Sequence, residues 1–578
     1  MNAIEFPLLD TCIDYHTFFQ DEIVFFYFHL TRIQNYSEFT YFSNRYDNVL
    51  RIIKQQMEID RDSILPYLSQ LYKLIANTRD IHHGKGEHDI SYMMIWKLYQ
   101  YFPTLAIYII HRFVQTTENQ YYVYGSWRDI KYLCAFVKQN SRFQENDSLI
   151  QVCVELINTQ LKHDLDTWKC SMNSMDRRFI SNIAKWIPRE NKKFGWLFEL
   201  LAKHWGNTHY PYIMDSTFDF QSKLKANNKY KQLYRKNVSY LNKALDTIEI
   251  KLCADRRNLI EPQNITLCSI AKYKNVAFYD SDDDDKIKCS DQITDYLQNK
   301  YSLIVQPEKG YYKYNTSSSL PINYYVKQAI LFIEKYGDSE NSQFHILNKQ
   351  WGYLSTLLTD SFISDMVPII DISSTMRKHD DEPLYAAIGY AILISQHSYI
   401  KNRFLAVDNV PIWIHFDDNM TFIHKVKRVI ETISSLYSTR SSYIDAFHLI
   451  GKSIVQTSMT PNDIQNIQFV VFSTFTEQLE NNESTLYDNI IQTLSYYTEY
   501  IPHIAFWNLS KYDNTVLPCQ VNQRKIKLLS GYSPHLLYHL HNYTQSSVYT
   551  PYTVIQRILA GYQYKILNDY IISCVTNF

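Results

Sequence analysis

Apolar residues recur with helical spacing through the first half of the chain. In residues 63–77, the side chains of Ile64, Leu68, Leu71, Leu74 and Ile75 fall on one helical face. Patterns of the same kind cover residues 90–101, 105–114, 127–137, 148–161 and 179–187. Helices of this length joined by short polar loops predict antiparallel stacking, and the absence of a fixed repeat period predicts an irregular, HEAT-like array.

A different pattern begins after residue 350. Short apolar runs at residues 366–372, 404–407, 412–416, 469–473 and 503–507 alternate with helical patterns at 384–396, 423–436, 443–455 and 486–497. Strands that alternate with helices predict βα units and a parallel sheet, and unbroken apolar runs predict strands buried on both faces. The second half is therefore expected to be a doubly wound, Rossmann-like α/β domain.

These patterns divide the 578 residues into four predicted parts. We expect an N-terminal extension over residues 1–60, the helical array over 61–340, the α/β domain over 345–545 and a helical tail over 546–578. The polar stretch 338–342 would link the two larger parts. The predicted fold class is thus multidomain, with an all-α part followed by an α/β part.

Composition and charge restrict the kinds of protein that this chain can be. The formal net charge is −1, so nucleic-acid binding would need a local basic patch. The nine cysteines are scattered and odd in number, which predicts reduced thiols and a cytoplasmic location. No signal-peptide pattern is present and no uncharged apolar run reaches the roughly 18 residues of a membrane span, so no membrane segment is expected. The acidic run at residues 280–285 predicts a solvated loop, with a site for a cation or a basic partner as the alternative.

The sharpest local motif is Asp371-Ile372-Ser373-Ser374-Thr375, which lies between a predicted strand and a predicted helix. It is similar to the D-x-S-x-S/T pattern of the metal-ion-dependent adhesion site in von Willebrand A domains. That resemblance implies that oxygens of Asp371, Ser373 and Thr375 hold Mg²⁺ at the carboxyl edge of the sheet. The alternative is that Asp371 and its neighbours cap the following helix.

The same resemblance implies two further ligands from later loops. Ser441 falls at the position of a threonine and keeps its hydroxyl, whereas Thr474 stands where the second aspartate is expected. One carboxylate is therefore missing, and hydroxyl groups with a single aspartate hold Mg²⁺ poorly. We expect a degenerate metal site made of Asp371, Ser373, Thr375 and Ser441.

Longer stretches extend the resemblance over roughly residues 60–545. They include LYKLIANTRDIHHGKGEHDISYMMIWKLYQYFP, YGSWRDIKYL, AKWIPRE, YRKNVSYLNKALDTIEIKLCA, IIDISSTM and IAFWNLS. The chain resembles a family of unknown function with plant, bacterial and large DNA virus members. The helical half of that family is similar to the TROVE module of the Ro autoantigen, and its second half to a von Willebrand A domain. The resemblance implies the fold and leaves the activity open.

A basic stretch over residues 223–257 is the main candidate for binding nucleic acid. Cations can neutralise phosphates, and the interleaved rings of Tyr230, Tyr234 and Tyr240 could stack on unpaired bases. The Ro-like resemblance implies that RNA binds basic surfaces of the helical part, and the alternative is an ordinary solvated helix face. The predicted RNA-binding residues are Lys223, Lys225, Lys229, Lys231, Arg235, Lys236, Arg256 and Arg257, and a second basic cluster holds Arg177, Arg178, Lys185, Arg189, Lys192 and Lys193.

Other polar groups are predicted to be structural. The Gly84-Lys85-Gly86-Glu87 segment lacks the GxxxxGK[ST] order of a phosphate loop and follows a helix, which predicts an interhelical turn. Buried Arg–Asp networks are expected at Arg79 with Asp80 and at Arg128 with Asp129. No HExxH zinc spacing occurs, and the histidines predicted to be structural or surface residues are His82, His83, His88, His535, His539 and His541.

The expected function is that of a non-enzymatic RNA-binding protein or ribonucleoprotein scaffold. The alternative is a protein-interaction or structural protein, such as a virion component, that binds a protein ligand at the degenerate ion site. An enzyme is disfavoured, because a two-metal nuclease needs clustered carboxylates and only the 280–285 run offers them. The only cofactor expected is Mg²⁺ at the degenerate metal site. The expected location is the cytoplasm, with the virion as the alternative.

Overall fold

The computed structural model describes residues 14–29, 31, 36–116, 122–170, 180–215, 219–261, 269, 271–273, 320–357, 363–434, 442–457, 459–476, 484–511, 515–541 and 549–576. The chain divides into two compact units. We call Met1–Ile90 together with Ile293–Phe578 the sheet unit, and Ser91–Gln292 the helical unit. The predicted acidic run at 280–285 lies outside the described residues.

Three N-terminal helices belong to the sheet unit. They are α1 (Tyr15–His29), α2 (Tyr36–Met57) and α3 (Arg61–Arg79). Helix α1 packs on the last strand of the sheet, and α1 and α3 both pack on the C-terminal helices. This division differs from the prediction, which placed residues 1–60 in an extension and residues 61–340 in the helical array. The apolar faces of α1 and α3 are buried against elements almost 500 residues away in sequence. For example, Ser69 Oγ donates to Asn568 over a separation of 499 residues.

The helical unit consists of helices that pack mainly on neighbours in the chain. Its helices are α4 (Asp89–Tyr101), α5 (Pro103–Val114), α6 (Trp127–Asn140), α7 (Ser148–Cys170), α8 (Ile183–Trp186), α9 (Gly195–His209), α10 (Pro211–Asp215), α11 (Phe220–Leu245) and α12 (Ile248–Cys253). The pairs α5 with α6, α6 with α7, α7 with α9 and α9 with α11 are in contact. The predicted helical array is thus confirmed in its coarse form, although the helices named above begin at residue 89 and not at residue 61.

The remaining helices surround the sheet. They are α13 (Ile322–Tyr336), α14 (Ser342–Leu357), α15 (Glu382–His397), α16 (Phe422–Ser434), α17 (Tyr443–Gln456), α18 (Pro461–Asn466), α19 (Leu486–Ser495), α20 (Pro551–Leu559) and α21 (Lys565–Thr576). Helix α13 packs on α15 and α16, and α14 packs on α16. The polar stretch at 338–342 is therefore a turn between two helices of one unit, and the prediction that it links two domains is wrong.

Six strands form one mixed sheet. They are β1 (Met366–Asp371), β2 (Arg403–Val407), β3 (Ile412–His415), β4 (Gln468–Ser473), β5 (His503–Asn508) and β6 (Ile526–Ser530). The order is β3-β2-β1-β4-β5-β6, with β3 antiparallel and every other pair parallel. The strand order reverses between β1 and β4, and open α/β sheets bind ligands at the carboxyl edge of such a switch point.

Covering helices explain the unbroken apolar strands. Every residue of β1 and β4 is buried, as expected for parallel strands that are covered on both faces. On one face, the ring of Tyr390 from α15 stacks 5.0 Å from Phe472 and lies 4.5 Å from Trp507. A Cβ at Gly389 would approach Ile322 Cγ1 to 2.7 Å, so the glycine permits α13 and α15 to pack closely.

Candidate functional site

The predicted metal motif lies at the switch point of the sheet. Asp371 is the last residue of β1, and Ser473 is the last residue of the neighbouring strand β4. Asp371, Ser373 and Thr474 are 3%, 0% and 3% exposed, so the carboxylate and its hydroxyl neighbours are buried in the edge and do not face bulk water. The structure thus brings together the predicted metal ligands Asp371, Ser373 and Thr375, and also Thr474, which stands where a second aspartate was expected. Ser441 lies outside the described residues.

Hydrogen bonds occupy both oxygens of the Asp371 carboxylate. Oδ1 accepts the backbone N–H of Ser373 at 2.9 Å. Oδ2 accepts the Ser473 hydroxyl at 2.7 Å, and the Tyr443 hydroxyl lies 3.0 Å from the same oxygen. Helix α15 begins only at Glu382 and its N-cap residue is Asp381, so the alternative that Asp371 and its neighbours cap that helix is wrong. The Asp371 carboxylate instead holds the turn after β1.

A second chain of hydroxyl groups runs beside the carboxylate. The Thr474 hydroxyl donates to Thr375 Oγ1 at 2.9 Å, and Thr375 Oγ1 lies 2.9 Å from Ser373 Oγ. Magnesium sites use one or two carboxylates together with water and other oxygens. Here the single carboxylate and the three hydroxyls already bond to one another or to neighbouring N–H and O–H groups. This donor set does not fit a tightly held Mg²⁺ ion.

Three residues of this edge were not predicted from sequence. Tyr443 and Ser473 bond to Asp371, and Asp408 ends the run FLAVD at the carboxyl end of β2. Asp408 is 5% exposed and its Oδ1 has no hydrogen-bond partner within the described chain. The available signal was an acidic residue directly after a buried strand, the same signal that singled out Asp371. No three His, Cys, Asp or Glu side chains in the described segments are arranged to hold a metal ion.

Backbone strain concentrates beside the same edge. The loop after β1 contains three consecutive left-handed residues, His379, Asp380 and Asp381, with φ of 57°, 56° and 58°. Phe475, in the loop after β4, has φ of 47°. Left-handed conformations cost L-residues about 1–2 kcal/mol each, and such strain tends to collect at functional surfaces. The loops of β1 and β4 are therefore the strained part of the described sheet edge.

Helix α11 carries most of the predicted RNA-binding residues and is anchored from one side. The Tyr234 hydroxyl donates to Asn158 Oδ1 at 2.9 Å, and Asn158 Nδ2 donates to the Leu201 carbonyl at 3.0 Å. A Cβ at Gly206 would lie 2.1 Å from Tyr230 Cγ, so only glycine lets the tyrosine ring lie on α9. These contacts fix which face of α11 points toward solvent.

The solvent face of α11 is a row of lysines. The 26-residue helix contains seven cations and no carboxylate. Its buried residues are Ala226, Tyr230, Tyr234 and Leu241. On the opposite face, helical geometry places four exposed lysines within about 40° of one another along about 27 Å of the axis. We call this set the lysine stripe, and its members are Lys225, Lys229, Lys236 and Lys243.

Acidic neighbours partly neutralise the other predicted cations. Lys231 lies 3.3 Å from Glu190 and 2.9 Å from Glu199, and Arg235 also pairs with Glu190. Beyond the helix, Arg256 pairs with Asp246 and Arg257 with Asp255, each at 3.3 Å. The eight predicted residues therefore do not act as one patch. Lys223, Lys225, Lys229 and Lys236 are exposed and make no ion pair with a described residue.

Two further expectations about this region need correction. Tyr230 and Tyr234 are 1% and 0% exposed, so these rings belong to the core and cannot stack on bases. In the second basic cluster, Lys185 pairs with Glu249 at 2.8 Å. Arg177 and Arg178 lie outside the described residues, whereas the remaining members, Arg189, Lys192 and Lys193, are exposed.

The residues predicted to be structural lie mostly in the interior. Arg79, Asp80 and Lys85 are all buried, and Asp80 accepts hydrogen bonds from the Tyr564 hydroxyl and from the N–H groups of His82 and His83. In the helical unit, Asp129 accepts from Tyr92 at 2.6 Å and from Ser126 N at 2.7 Å. Arg128 departs from the expectation, because it is exposed and lies over the Tyr132 ring.

Comparisons with known proteins agree with a family of unknown function that has viral members. Residues 365–548 match the family described as "Domain of unknown function (DUF7788)". The chain is 23% identical over 523 residues to "Uncharacterized protein L728" of Acanthamoeba polyphaga mimivirus, an alignment that covers 87% of this chain and 81% of the viral protein. No solved structure matches the chain. Within the described residues, no helix combines the length and hydrophobicity needed to cross a bilayer.

Proposed function

We propose that this chain is a non-enzymatic RNA-binding protein of the ribonucleoprotein-scaffold type, and that the lysine stripe contacts the phosphate backbone. The observation that carries this proposal is the charge distribution of α11, a 26-residue helix with seven cations and no carboxylate. A solvated helix face of ordinary composition mixes both signs, because opposite charges three or four residues apart stabilise a helix. Four aligned lysines without such partners favour a polyanionic ligand.

Counterion release explains how a short stripe could bind RNA despite the net charge of −1 of the whole chain. Each phosphate that a lysine neutralises releases a condensed counterion, and this contribution does not depend on base sequence. Because Tyr230 and Tyr234 are buried and Tyr240 is half-buried, the proposed contact is with phosphates and does not rely on stacked bases. The expected binding is therefore strong at low salt, weak in sequence preference and steeply reduced by added salt.

We also propose that the sheet unit is a von Willebrand A-like domain and that the helical unit is TROVE-like. For the sheet unit, support comes from the doubly wound strand order with its antiparallel edge strand and from the D-x-S-x-T motif at the switch point. For the helical unit, support comes from the sequence motifs named above. In this proposal the Asp371 cluster shapes the sheet edge without depending on Mg²⁺.

A second candidate function is protein interaction, including a structural role in a virion. The similarity to a mimivirus protein favours it, as do the exposed apolar side chains of Val455 and Tyr496, which are 57% and 73% exposed. Mass spectrometry of purified virus particles tests it. Stoichiometric recovery of the chain from particles supports a structural role, and its absence from particles removes that role.

The RNA-binding proposal is tested by reversing the stripe charges in the full chain. In K225E/K229E/K236E/K243E, affinity for a labelled structured RNA and for a single-stranded RNA should fall by about 100-fold or more at low salt, because four phosphate contacts become repulsive. The measurement is an electrophoretic mobility shift. Thermal unfolding should be almost unchanged, because all four side chains are exposed.

A matched control reverses four exposed lysines elsewhere. Lys54, Lys401, Lys452 and Lys565 of the sheet unit are exposed and make no ion pair with a described residue. The variant K54E/K401E/K452E/K565E changes the net charge by the same amount. It should retain affinity within a few-fold. Equal losses in both variants would mean that only net charge matters, and no RNA binding by the native chain would end the proposal.

A further inference from the structure

A cluster of cations and aromatic rings lies where α6 packs on α8 in the helical unit. The ammonium nitrogen of Lys131 lies 5.0 Å from the ring centroid of Trp186 and 5.2 Å from that of Phe194. It also lies 5.1 Å from the ring centroid of Tyr132, and the guanidinium carbon of Arg128 lies 5.1 Å from the same ring. We call these five residues the cation–ring cluster.

The sequence of α6 places three members of this cluster on one side of the helix. The residues buried along α6 are Trp127, Asp129, Ile130, Leu133, Cys134 and Val137. With 3.6 residues per turn, the side chains of Arg128, Lys131 and Tyr132 fall within about 100° of one another on the opposite side. The ring of Phe194, directly before α9, meets the Tyr132 ring edge to face with 5.3 Å between centroids, which fixes the aromatic part of the cluster.

Positive charges in the cluster oppose one another. Burial lowers the pKa of Lys131, and the charges of Arg128 and Lys272 lower it further. Lys131 makes no hydrogen bond or ion pair with a described residue, and its ammonium group instead faces the three rings. Glu249 lies near the same part of α8, but it pairs with Lys185 at 2.8 Å. A negatively charged ligand beside the cluster would therefore relieve repulsion between like charges.

The rings of the cluster are accessible, unlike two of the tyrosines of α11. Tyr132, Trp186 and Phe194 are half-buried, whereas Tyr230 and Tyr234 belong to the core. Aromatic side chains in single-strand-binding grooves stack on unpaired bases, and neighbouring cations contact the phosphates that join them. In an RNA duplex the bases are stacked on one another, so their faces are not open to a protein ring. The cluster therefore suits an unpaired strand.

Exposed cations continue from the cluster toward α11. Lys193 lies 5.8 Å from the ring centroid of Phe194, and Lys193 and Lys192 are both exposed. Glu190 of the same loop pairs with Arg235 of α11. The loop before α9 therefore connects the cluster with the helix that carries the lysine stripe, and one strand could contact both.

We propose that the cation–ring cluster stacks on unpaired bases of single-stranded RNA, while its cations contact the adjoining phosphates. This inference rests on the proposed RNA binding and names the class of RNA that the helical unit takes. It assigns to the cluster the base contacts that the buried tyrosines of α11 cannot make. Stacking releases no counterions, so its share of the affinity should not depend on salt, whereas the share of the lysine stripe should.

The variant W186L/F194L of the full chain tests the cluster, because leucine keeps the apolar contacts and removes the ring faces. Its affinity for a short labelled oligo(U) should fall about 10-fold or more, and its affinity for a short RNA duplex should stay within about 2-fold of native. The measurement is fluorescence anisotropy at several salt concentrations. The slope of log affinity against log salt should equal that of the native chain, and an oligonucleotide without bases should bind both proteins equally.

A matched control removes two exposed rings elsewhere in the helical unit. Phe143 and Tyr212 are 71% and 65% exposed, and F143L/Y212L should bind oligo(U) as the native chain does. Should W186L/F194L fail to fold, Lys131→Gln keeps all three rings and removes the central cation. That variant should weaken oligo(U) binding about 3-fold or more, with thermal unfolding close to native.

The two RNA proposals can fail separately. Loss of oligo(U) binding in W186L/F194L with native binding in K225E/K229E/K236E/K243E would support the cluster and remove the stripe contact. Native affinity for oligo(U) in both W186L/F194L and Lys131→Gln would overturn the cluster, even if the stripe variant loses binding. Equal losses for oligo(U) and for the duplex would also overturn it, because the rings would then act without unpaired bases.

Discussion

The sheet unit buries several of its lysines, whereas the lysine stripe of the helical unit is exposed. Among the described residues of the sheet unit, four lysines are at most 3% exposed: Lys85, Lys425, Lys511 and Lys527. Lys85 donates to the Tyr27 carbonyl and to Ser530, and Lys511 pairs with Glu382. In the helical unit, the lysines of the stripe are all exposed. Buried lysines are fixed by their acceptors, so only the second arrangement leaves a row of cations for a large polyanion.

The pKa values of the histidines also differ between the two units. Burial lowers the pKa of His29 to about 4, that of His535 to about 3 and that of His539 to about 4, and all three belong to the sheet unit. In the helical unit, burial also lowers the pKa of His209, which is only half-buried. The sheet unit therefore contains the groups whose protonation should matter most for folding.

Acidification should produce the largest difference between the units. His29, His535 and His539 have pKa values below the unfolded value of about 6.5, so the folded state prefers them neutral. Their contribution to stability is present above pH 6.5 and is lost as the pH falls from 6.5 toward 4. At pH 4 each of these histidines lowers the free energy of unfolding by about 3 kcal/mol. The free energy of unfolding of a whole domain is about 5–15 kcal/mol.

Hydrogen exchange resolved by peptide mass spectrometry at pH 7, 5.5 and 4.5 checks this prediction. After correction for intrinsic exchange rates, protection should fall in β1, β4 and β5 before it falls in α7 and α9. The variant H535Q/H539Q should show a smaller loss over the same range. Equal loss of protection in both units would contradict the proposed distinction.

Adding a carboxylate at the sheet edge should have the next largest effect. Thr474→Asp places a second carboxylate near Asp371, so the variant should be destabilised in EDTA by like-charge repulsion. Magnesium should then restore stability by about 2–3 kcal/mol at a concentration 100 times the dissociation constant. The measurement is the thermal unfolding midpoint with Mg²⁺ and with EDTA.

Thr474→Asn is the control for this substitution, because it keeps the shape of the aspartate and lacks its charge. That variant and the native chain should respond little to Mg²⁺. A native chain that gains as much stability from Mg²⁺ as Thr474→Asp does would show that the existing oxygens suffice to hold the ion.

Removing an acidic neighbour of α11 should have the smallest of these effects. It should raise RNA affinity, whereas the charge-reversal variant of the stripe lowers it. Glu190 pairs with Lys231 and Arg235, and exposed or half-exposed pairs contribute about 0–1 kcal/mol to stability. Glu190→Gln should therefore leave the unfolding midpoint nearly unchanged and raise RNA affinity about 3-fold to 10-fold at low salt, because Arg235 loses its acidic partner and Lys231 keeps only Glu199. Glu155→Gln, at an exposed site on α7, is the control and should raise affinity less.

Much of the fold could be predicted because its elements have strong local patterns. The predicted strands and helices after residue 350 correspond to β1 through β5 and α15, α16, α17 and α19. Strand β6 was missed, because Ile526–Ser530 is short and contains Lys527, whose charge is buried only through non-local acceptors. The packing of α1 and α3 on the C-terminal elements was also missed, since an apolar face indicates burial without identifying its partner.

The candidate sites were predictable to a smaller degree. The basic stretch was visible, and the spacing of Ala226, Tyr230 and Tyr234 already indicated a buried face that should have excluded the tyrosines as base-stacking residues. The pairing of Lys231 and Arg235 with Glu190 depends on a residue more than 40 positions away, so no local pattern could predict it. The same holds for the contact between Tyr443 and Asp371, which are separated by 72 residues.

The salt dependence of RNA binding tests the role of the lysine stripe most directly. For single-stranded RNA, each phosphate contact contributes about 0.7 to the slope of log affinity against log salt, so four stripe lysines contribute about 3. The slope should be shallower by about that amount in K225E/K229E/K236E/K243E than in the native chain, and unchanged in the sheet-unit control. Identical slopes for the native chain and the stripe variant would contradict the account.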